Sequence, residues 1–182
     1  MSINRRQYDR LQLSEAAYAV SDDGRQLGKV SQAVASSTTC TGTSHVVYNP
    51  GLTLTQQSVS VTETDTYTSC TSTDSTLTSG SLGTFTFTVS NAACNDVQVG
   101  GPGDLTITWN NSQSSTASLT FELTVTGGIL QEVGTGTITA GEFEGASATL
   151  SWEYAVVNPL LCLVSGGLTT QDGTVTAEIT GL

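Results

Sequence analysis

Two kinds of side chain in this sequence could carry chemistry: a histidine and closely spaced carboxylates. His45 is the single histidine of the chain, and a hydrolytic triad requires a base of this kind beside its nucleophile. No GxSxG motif surrounds a serine, so we interpret His45 as structural. The glycine-rich loop at 101–103 is not followed by GK[ST], which disfavours phosphate binding.

The carboxylates repeat at i, i+2 in two places, as Glu63 with Asp65 and as Glu142 with Glu144. This spacing places both members of a pair on one face of a strand, where they could serve a glycosidase or hold Ca²⁺ together with loop oxygens. Because the pairs lie between threonine and glycine residues, we interpret both as solvent-facing. The protein is therefore predicted to be non-enzymatic, with no catalytic residue, metal or cofactor.

The elements that must position these side chains are strands. From His45 onward, apolar residues alternate with threonine, serine or glutamate, a period of two that is typical of strands with one buried face. The pattern predicts eight or nine antiparallel strands in an all-β, two-sheet β-sandwich of immunoglobulin-like or jelly-roll type. The alternating segments lie at 45–48, 59–68, 85–89, 105–109, 119–125, 132–138, 148–154, 160–164 and 174–180.

The larger apolar residues of these segments form the predicted core. Trp109 and Trp152 are in phase with the apolar neighbours on their strands, so we assign both to the core rather than to an exposed platform for sugar rings. The predicted core residues are Phe85, Phe87, Leu105, Ile107, Trp109, Leu119, Phe121, Leu123, Val125, Leu150, Trp152 and Tyr154.

The four cysteines, Cys40, Cys70, Cys94 and Cys162, are too widely spaced for CxxC metal or redox motifs. An even number of cysteines in a β-rich chain favours two disulfides and an oxidising, extracellular setting. Of the three possible connectivities we favour Cys40 with Cys70 and Cys94 with Cys162. Four buried free thiols are the alternative.

All five Lys and Arg residues lie within the first 29 positions. Positions 30–182 hold twelve acidic residues and no base. Such an acidic body repels phosphate backbones, so nucleic acid is not expected as a partner. No apolar run approaches the length of a membrane span, so no membrane insertion is predicted.

The basic residues belong to a predicted N-terminal arm at 1–37, which precedes the β-domain at 38–182. Residues 2–20 have the composition of a short helix, and the arm lacks the apolar stretch of a secretory signal. A positive arm can lie on the acidic face of another copy or of a different protein. The predicted partner-binding residues are Arg5, Arg6, Tyr8, Arg10 and Leu11.

Several stretches of the β-domain resemble a threonine- and glycine-rich, four-cysteine domain of uncharacterised secreted actinobacterial proteins. The resemblance covers about residues 38–182 and implies a disulfide-bonded extracellular β-domain with no activity that can be carried over. A phage of such a host could also carry the domain. The stretches lie at 46–55, 66–80, 105–116, 134–150 and 158–180.

These observations favour a structural subunit of a virion or of an extracellular surface assembly, of the decoration, tail or fibre type. The arm would anchor it to other protein subunits, in a homo-oligomer or on a capsid or tail, and the sandwich would be exposed. One alternative is a secreted adhesin or carbohydrate-binding module that acts on cell-surface glycans through its loops. Another is an ordinary secreted monomer.

Overall fold

The computed structural model describes residues 36–94, 100–126, 128–155 and 159–181. These residues form eight strands and one short 3-10 turn, η1. Among them, no helix is long and apolar enough to span a membrane. The strands are β1 (Ser37–Leu52), β2 (Gln57–Ser72), β3 (Gly80–Ala92), β4 (Gly101–Trp109), β5 (Ser114–Thr126), β6 (Ile129–Gly141), β7 (Ser147–Ala155) and β8 (Leu168–Thr180), and η1 is Pro159–Cys162.

The strands form a closed antiparallel barrel in which each strand pairs with the next and β8 pairs with β1. Cys40 illustrates the closure, because it lies opposite Cys70 of β2 on one side and Ala177 of β8 on the other. The predicted two-sheet sandwich is therefore wrong. Strands with one apolar face serve either architecture, and the long-range pairing of the first strand with the last is not visible in a period of two.

The predicted strand positions agree with the barrel at every alternating segment except one. Residues 160–164 lie in and just after η1 rather than in a strand. The alternation also explains the 32 threonines of the chain, because many of them cover the outer surface. Threonine hydroxyls pair across neighbouring strands there, as between Thr64 and Thr84 at 2.8 Å and between Thr62 and Thr86 at 3.1 Å.

The inward side chains form a continuous apolar core with contributions from all eight strands. Half of the predicted core residues are buried, namely Ile107, Trp109, Leu119, Leu150, Trp152 and Tyr154. Phe85, Phe87, Leu105, Phe121 and Leu123 are half-buried. Val125 is 63% exposed, because it lies at the end of β5 beyond the packed interior.

Two disulfides connect the four cysteines, in the pairs that the sequence analysis favoured. Cys40–Cys70 joins β1 to β2, and Cys94–Cys162 joins the second residue after β3 to the end of η1. No cysteine in the described part of the chain is free. The bridges indicate an oxidising, extracellular environment.

The barrel is weakly closed between β3 and β4. Their only pairs in the described chain are Gly80 with Trp109 and Ser81 with Thr108, whereas β2 pairs with β3 and β4 with β5 along most of their lengths. The two strands therefore separate after their first two residue pairs and leave an opening between their described residues. We call this opening, between residues 82–92 of β3 and 101–107 of β4, the seam.

Residues 1–35 of the predicted arm at 1–37 lie outside the described residues, and with them the predicted N-terminal helix. The same holds for the predicted partner-binding residues Arg5, Arg6, Tyr8, Arg10 and Leu11. The first strand begins at Ser37, next to the boundary predicted at residue 38.

Candidate ligand site in the barrel interior

A cavity of about 280 Å³ lies inside the barrel at the seam. A second cavity of about 40 Å³ shares Glu63, Phe87 and Glu132 with it. The shared residues show that the two spaces adjoin, so the interior of the barrel is hollow over part of its length. The larger cavity is lined by Glu63, Phe85, Phe87, Gly100, Gly101, Pro102, Gly103, Leu105, Phe121, Glu132 and Trp152.

Glu63 and Asp65 point into the barrel, contrary to the solvent-facing position predicted for them. Glu63 is 6% exposed and Asp65 is fully buried. Both lie on β2 in phase with inward-facing Val59, Val61 and Tyr67, whereas the threonines between them face outward. The alternation along this strand predicts the inward position of both carboxylates, since every second residue from Val59 to Tyr67 shares one face.

The Glu63 carboxylate is held by hydroxyl groups from two other strands. Its Oε1 accepts hydrogen bonds from Ser44 Oγ at 2.9 Å and from Tyr154 OH at 2.7 Å. The other oxygen, Oε2, has no hydrogen-bond partner in the described chain. Glu63 is thus fixed in orientation by one oxygen, and the other is available to a molecule inside the cavity.

Asp65 lies deeper and ties β2 to β7. Its Oδ2 accepts a hydrogen bond from Trp152 Nε1 at 2.8 Å across the interior. Its Oδ1 and the hydroxyl group of Tyr67 are buried without a partner. Buried polar atoms are seldom left unpaired, because an unmade hydrogen bond costs roughly 1–3 kcal/mol.

Glu132 supplies a third inward carboxylate, from β6. It lies opposite Trp152 in the ladder with β7 and lines both cavities. No hydrogen bond holds its carboxylate within the described residues. Glu132 was not among the candidates from the sequence, although it is in phase with the inward-facing Leu130, Gly134 and Ile138.

The buried carboxyl groups hold their protons more tightly than exposed ones. Burial, and then the charge of Asp65, raises the pKa of Glu63 to about 7. Burial, and then the charges of Glu63 and Asp65, raises the pKa of Glu132 to about 7. Burial also raises the pKa of Asp65. Near neutral pH Glu63 and Glu132 can therefore exchange protons or bind a cation.

Aromatic rings form the walls around the carboxylates. The rings of Phe121 and Trp152 are 6.0 Å apart at 47°, and those of Phe85 and Phe87 are 6.1 Å apart. Gly134 leaves room for the Phe121 ring, since a Cβ atom there would lie 2.8 Å from Phe121 Cε1. Trp152 is only 2% exposed, so it is a core residue that also faces the cavity.

The other candidate residues lie apart from this cavity. His45 is on the outer face of β1, where its Nδ1 lies 2.6 Å from Asp172 Oδ1; both side chains are largely exposed, so this contact adds little stability. Glu142 and Glu144 follow the end of β6, in the β6–β7 connection, and do not share a strand face as predicted.

Trp109 is buried and donates to Ser115 Oγ. Within the described residues no group of acidic, histidine and cysteine side chains could hold a metal ion.

The fold and the cavity define a class: an eight-stranded up-and-down β-barrel with a side opening and an acidic, aromatic-lined interior. No family model, curated protein or solved structure matches the chain. The resemblance to secreted actinobacterial domains stays a prediction.

Proposed function

We propose that this protein is an extracellular, non-enzymatic binding protein that takes a small organic molecule into the barrel through the seam. The observation that carries this proposal is the cavity in the barrel, where the carboxylates of Glu63 and Glu132 face a space bounded by aromatic rings. Eight-stranded barrels have interiors wide enough to enclose one small ligand. Apolar walls with a few fixed polar groups are typical of small-molecule sites.

The size of the cavity limits the ligand. A volume of about 280 Å³ lies near the lower end of the range for small-molecule sites. The ligand is therefore of the size of one or two fused aromatic rings with a short side chain. Glycan chains are poor candidates for this interior, although the outer loops could still bind them.

The uncharged fluorescent probe 6-propionyl-2-(dimethylamino)naphthalene, which has two fused rings and short side chains, tests whether the interior accepts an apolar molecule. We expect saturable fluorescence enhancement with the full-length protein. Leu105→Trp places a larger side chain on the cavity wall and should weaken binding at least about tenfold, because it removes space that the probe needs. The measurement is a fluorescence titration at constant protein concentration.

Thr106→Trp is the matched control, because Thr106 is the next residue of β4 and faces outward. This variant should bind the probe as the unmodified protein does. Equal weakening by both substitutions, or no saturable binding by the unmodified protein, would contradict the proposed interior site.

A second candidate function is the structural subunit of a virion or surface assembly. The separation of charge along the sequence supports it, and so does a set of exposed apolar residues at one end of the barrel. These residues lie in or beside the connections that follow β1, β5 and β7, which an up-and-down barrel places at the same end. They include Leu54, Val125, Leu161, Leu163 and Val164. Exposed apolar patches frequently mark protein contacts.

Deletion of residues 1–29 tests the assembly function. If the arm anchors the protein through its positive charge, the full chain should self-associate at low ionic strength, and the shortened chain should be monomeric while retaining its β-sheet circular dichroism spectrum. Salt should weaken the association of the full chain, because it screens exposed charges. Light scattering after gel filtration measures both effects, and unchanged association of the shortened chain would show that the arm is not the anchor.

A further inference from the structure

The interior of the barrel holds three carboxyl groups without a positively charged partner among the described residues. Three carboxylates, Glu63, Asp65 and Glu132, face inward, whereas every Lys and Arg of the chain lies before residue 30, outside the described residues. The single histidine is on the outer surface beside Asp172. Proteins ordinarily pair buried charges or neutralise them by protonation, because an isolated buried charge is costly.

The hydrogen bonds of the described residues leave specific carboxylate oxygens that can accept a hydrogen bond from a ligand. Tyr154 and Ser44 both donate to Oε1 of Glu63, and their own oxygen atoms lie 2.8 Å apart. Both carboxylate oxygens of Glu132 lack a partner in the described chain, and Oδ1 of Asp65 is buried and unpaired. The hydroxyl groups near Glu63 are already engaged with it, so the donor that completes this site comes from outside the described residues.

The apolar walls specify the rest of the ligand. Phe85, Phe87, Phe121 and Trp152 all line the larger cavity together with Glu63 and Glu132. Aromatic faces attract cations and also pack against flat or branched apolar groups. Carboxylates beside aromatic rings therefore form a site for a positively charged group attached to an apolar body.

We propose, on the basis of the proposed interior site, that the ligand is an organic cation: an amine with an aromatic or branched alkyl body. Its ammonium group donates hydrogen bonds to Glu63 Oε2 and to Glu132. Its apolar body packs against Phe121 and Trp152. Organic anions are disfavoured, because three inward carboxylates repel them.

Three probes of matched shape test this proposal: 1-naphthylmethylamine, 1-naphthylmethanol and 1-naphthoate, which are cationic, neutral and anionic at pH 8. Isothermal titration of the full-length protein should give an affinity for the amine at least about tenfold higher than for the alcohol, because charge-assisted hydrogen bonds to buried carboxylates are strong. The carboxylate should bind most weakly.

Glu132→Gln and the double variant Glu63→Gln with Glu132→Gln should lose most of the preference for the amine and keep the affinity for the alcohol. Glu122→Gln is the control, since Glu122 lies on β5 between Phe121 and Leu123 but faces outward, and it should leave all three affinities unchanged. Near-ultraviolet circular dichroism checks that each variant folds. If the double variant does not fold, Glu132→Gln alone tests the proposal, because this single substitution breaks no hydrogen bond of the described chain.

The outcomes separate the two proposals. If the alcohol and the amine bind equally, or if the glutamine variants retain the preference for the amine, the cationic ligand is wrong and the interior site stands. If none of the three probes and no uncharged naphthyl probe binds, the proposed interior site itself is wrong.

Discussion

Raising the pH from 4.5 to 8 is expected to lower the free energy of unfolding by about 3 kcal/mol through Glu63 alone, since each pKa unit corresponds to about 1.4 kcal/mol. The pKa of Glu63 is about 7 in the folded protein, against an ordinary value of 4.5. Between these values the folded state binds more protons than the unfolded state. Stability is therefore fully present below pH 4.5 and is lost as the pH rises through 7.

Glu132 contributes in the same direction, because its pKa is also raised to about 7. The two contributions are not additive, since the charge of Glu63 is one of the causes that raise the pKa of Glu132. Urea unfolding at constant ionic strength across this pH range measures the total effect. The titratable groups that face the pair inside the barrel are Asp65, Tyr48, Tyr67 and Tyr154.

The double variant Glu63→Gln with Glu132→Gln should be more stable than the unmodified protein at pH 8 and should show a much smaller decrease with pH. Asp65 accounts for the remaining slope, because burial raises its pKa as well. Glu122→Gln changes the net charge by one unit on the outer surface and should leave the pH dependence unchanged. A free energy of unfolding that is constant from pH 4.5 to 8 would show that the carboxyl groups do not lie in the interior as described.

Removal of the Cys94–Cys162 disulfide is expected to lower the free energy of unfolding by about 4 kcal/mol, because the bridge closes a long loop in the unfolded chain. The bridged residues are 68 positions apart. The change is Cys94→Ala with Cys162→Ala, and urea unfolding under oxidising conditions measures it. The Cys40–Cys70 bridge spans 30 positions and should contribute about 3.5 kcal/mol to stability in the same model.

Reducing agent provides the control for this prediction. It should destabilise the unmodified protein strongly, and it should destabilise the variant without Cys94 and Cys162 only by the contribution of Cys40–Cys70. If reduction leaves the unfolding transition of the unmodified protein in place, the cysteines are not bridged in the protein, and the oxidising setting loses its support.

The inward position of Glu63 and Asp65 could have been predicted from the sequence. On β2, Val59, Val61, Glu63, Asp65 and Tyr67 occupy alternate positions, so one strand face carries both apolar and acidic residues. We predicted that the acidic residues face solvent because their immediate neighbours are threonines. The neighbours on the same face, two residues away, were the correct guide, since adjacent residues of a strand point in opposite directions.

The site itself could not be assembled from the sequence. Glu63 and Glu132 are 69 positions apart, and nothing in either strand shows that the other faces the same cavity. Phe121 and Trp152 meet over β6 for the same reason, through pairings between β5, β6 and β7. Such juxtapositions depend on strand order and register, which a local pattern does not contain.

The sequence by itself determined the all-β class, the strand positions from the period of two, the threonine-covered outer face and the even set of cysteines, because these depend on neighbours along one strand or on composition. Only the tertiary structure decided that the strands close into a barrel, that β3 and β4 separate at the seam and that three carboxylates share a hollow interior. Closure depends on the pairing of β1 with β8, whose partners Ser37 and Thr180 lie at opposite ends of the described chain. Contacts between residues so far apart in the sequence depend on the global arrangement of the strands. They cannot be predicted from the local alternation of residues.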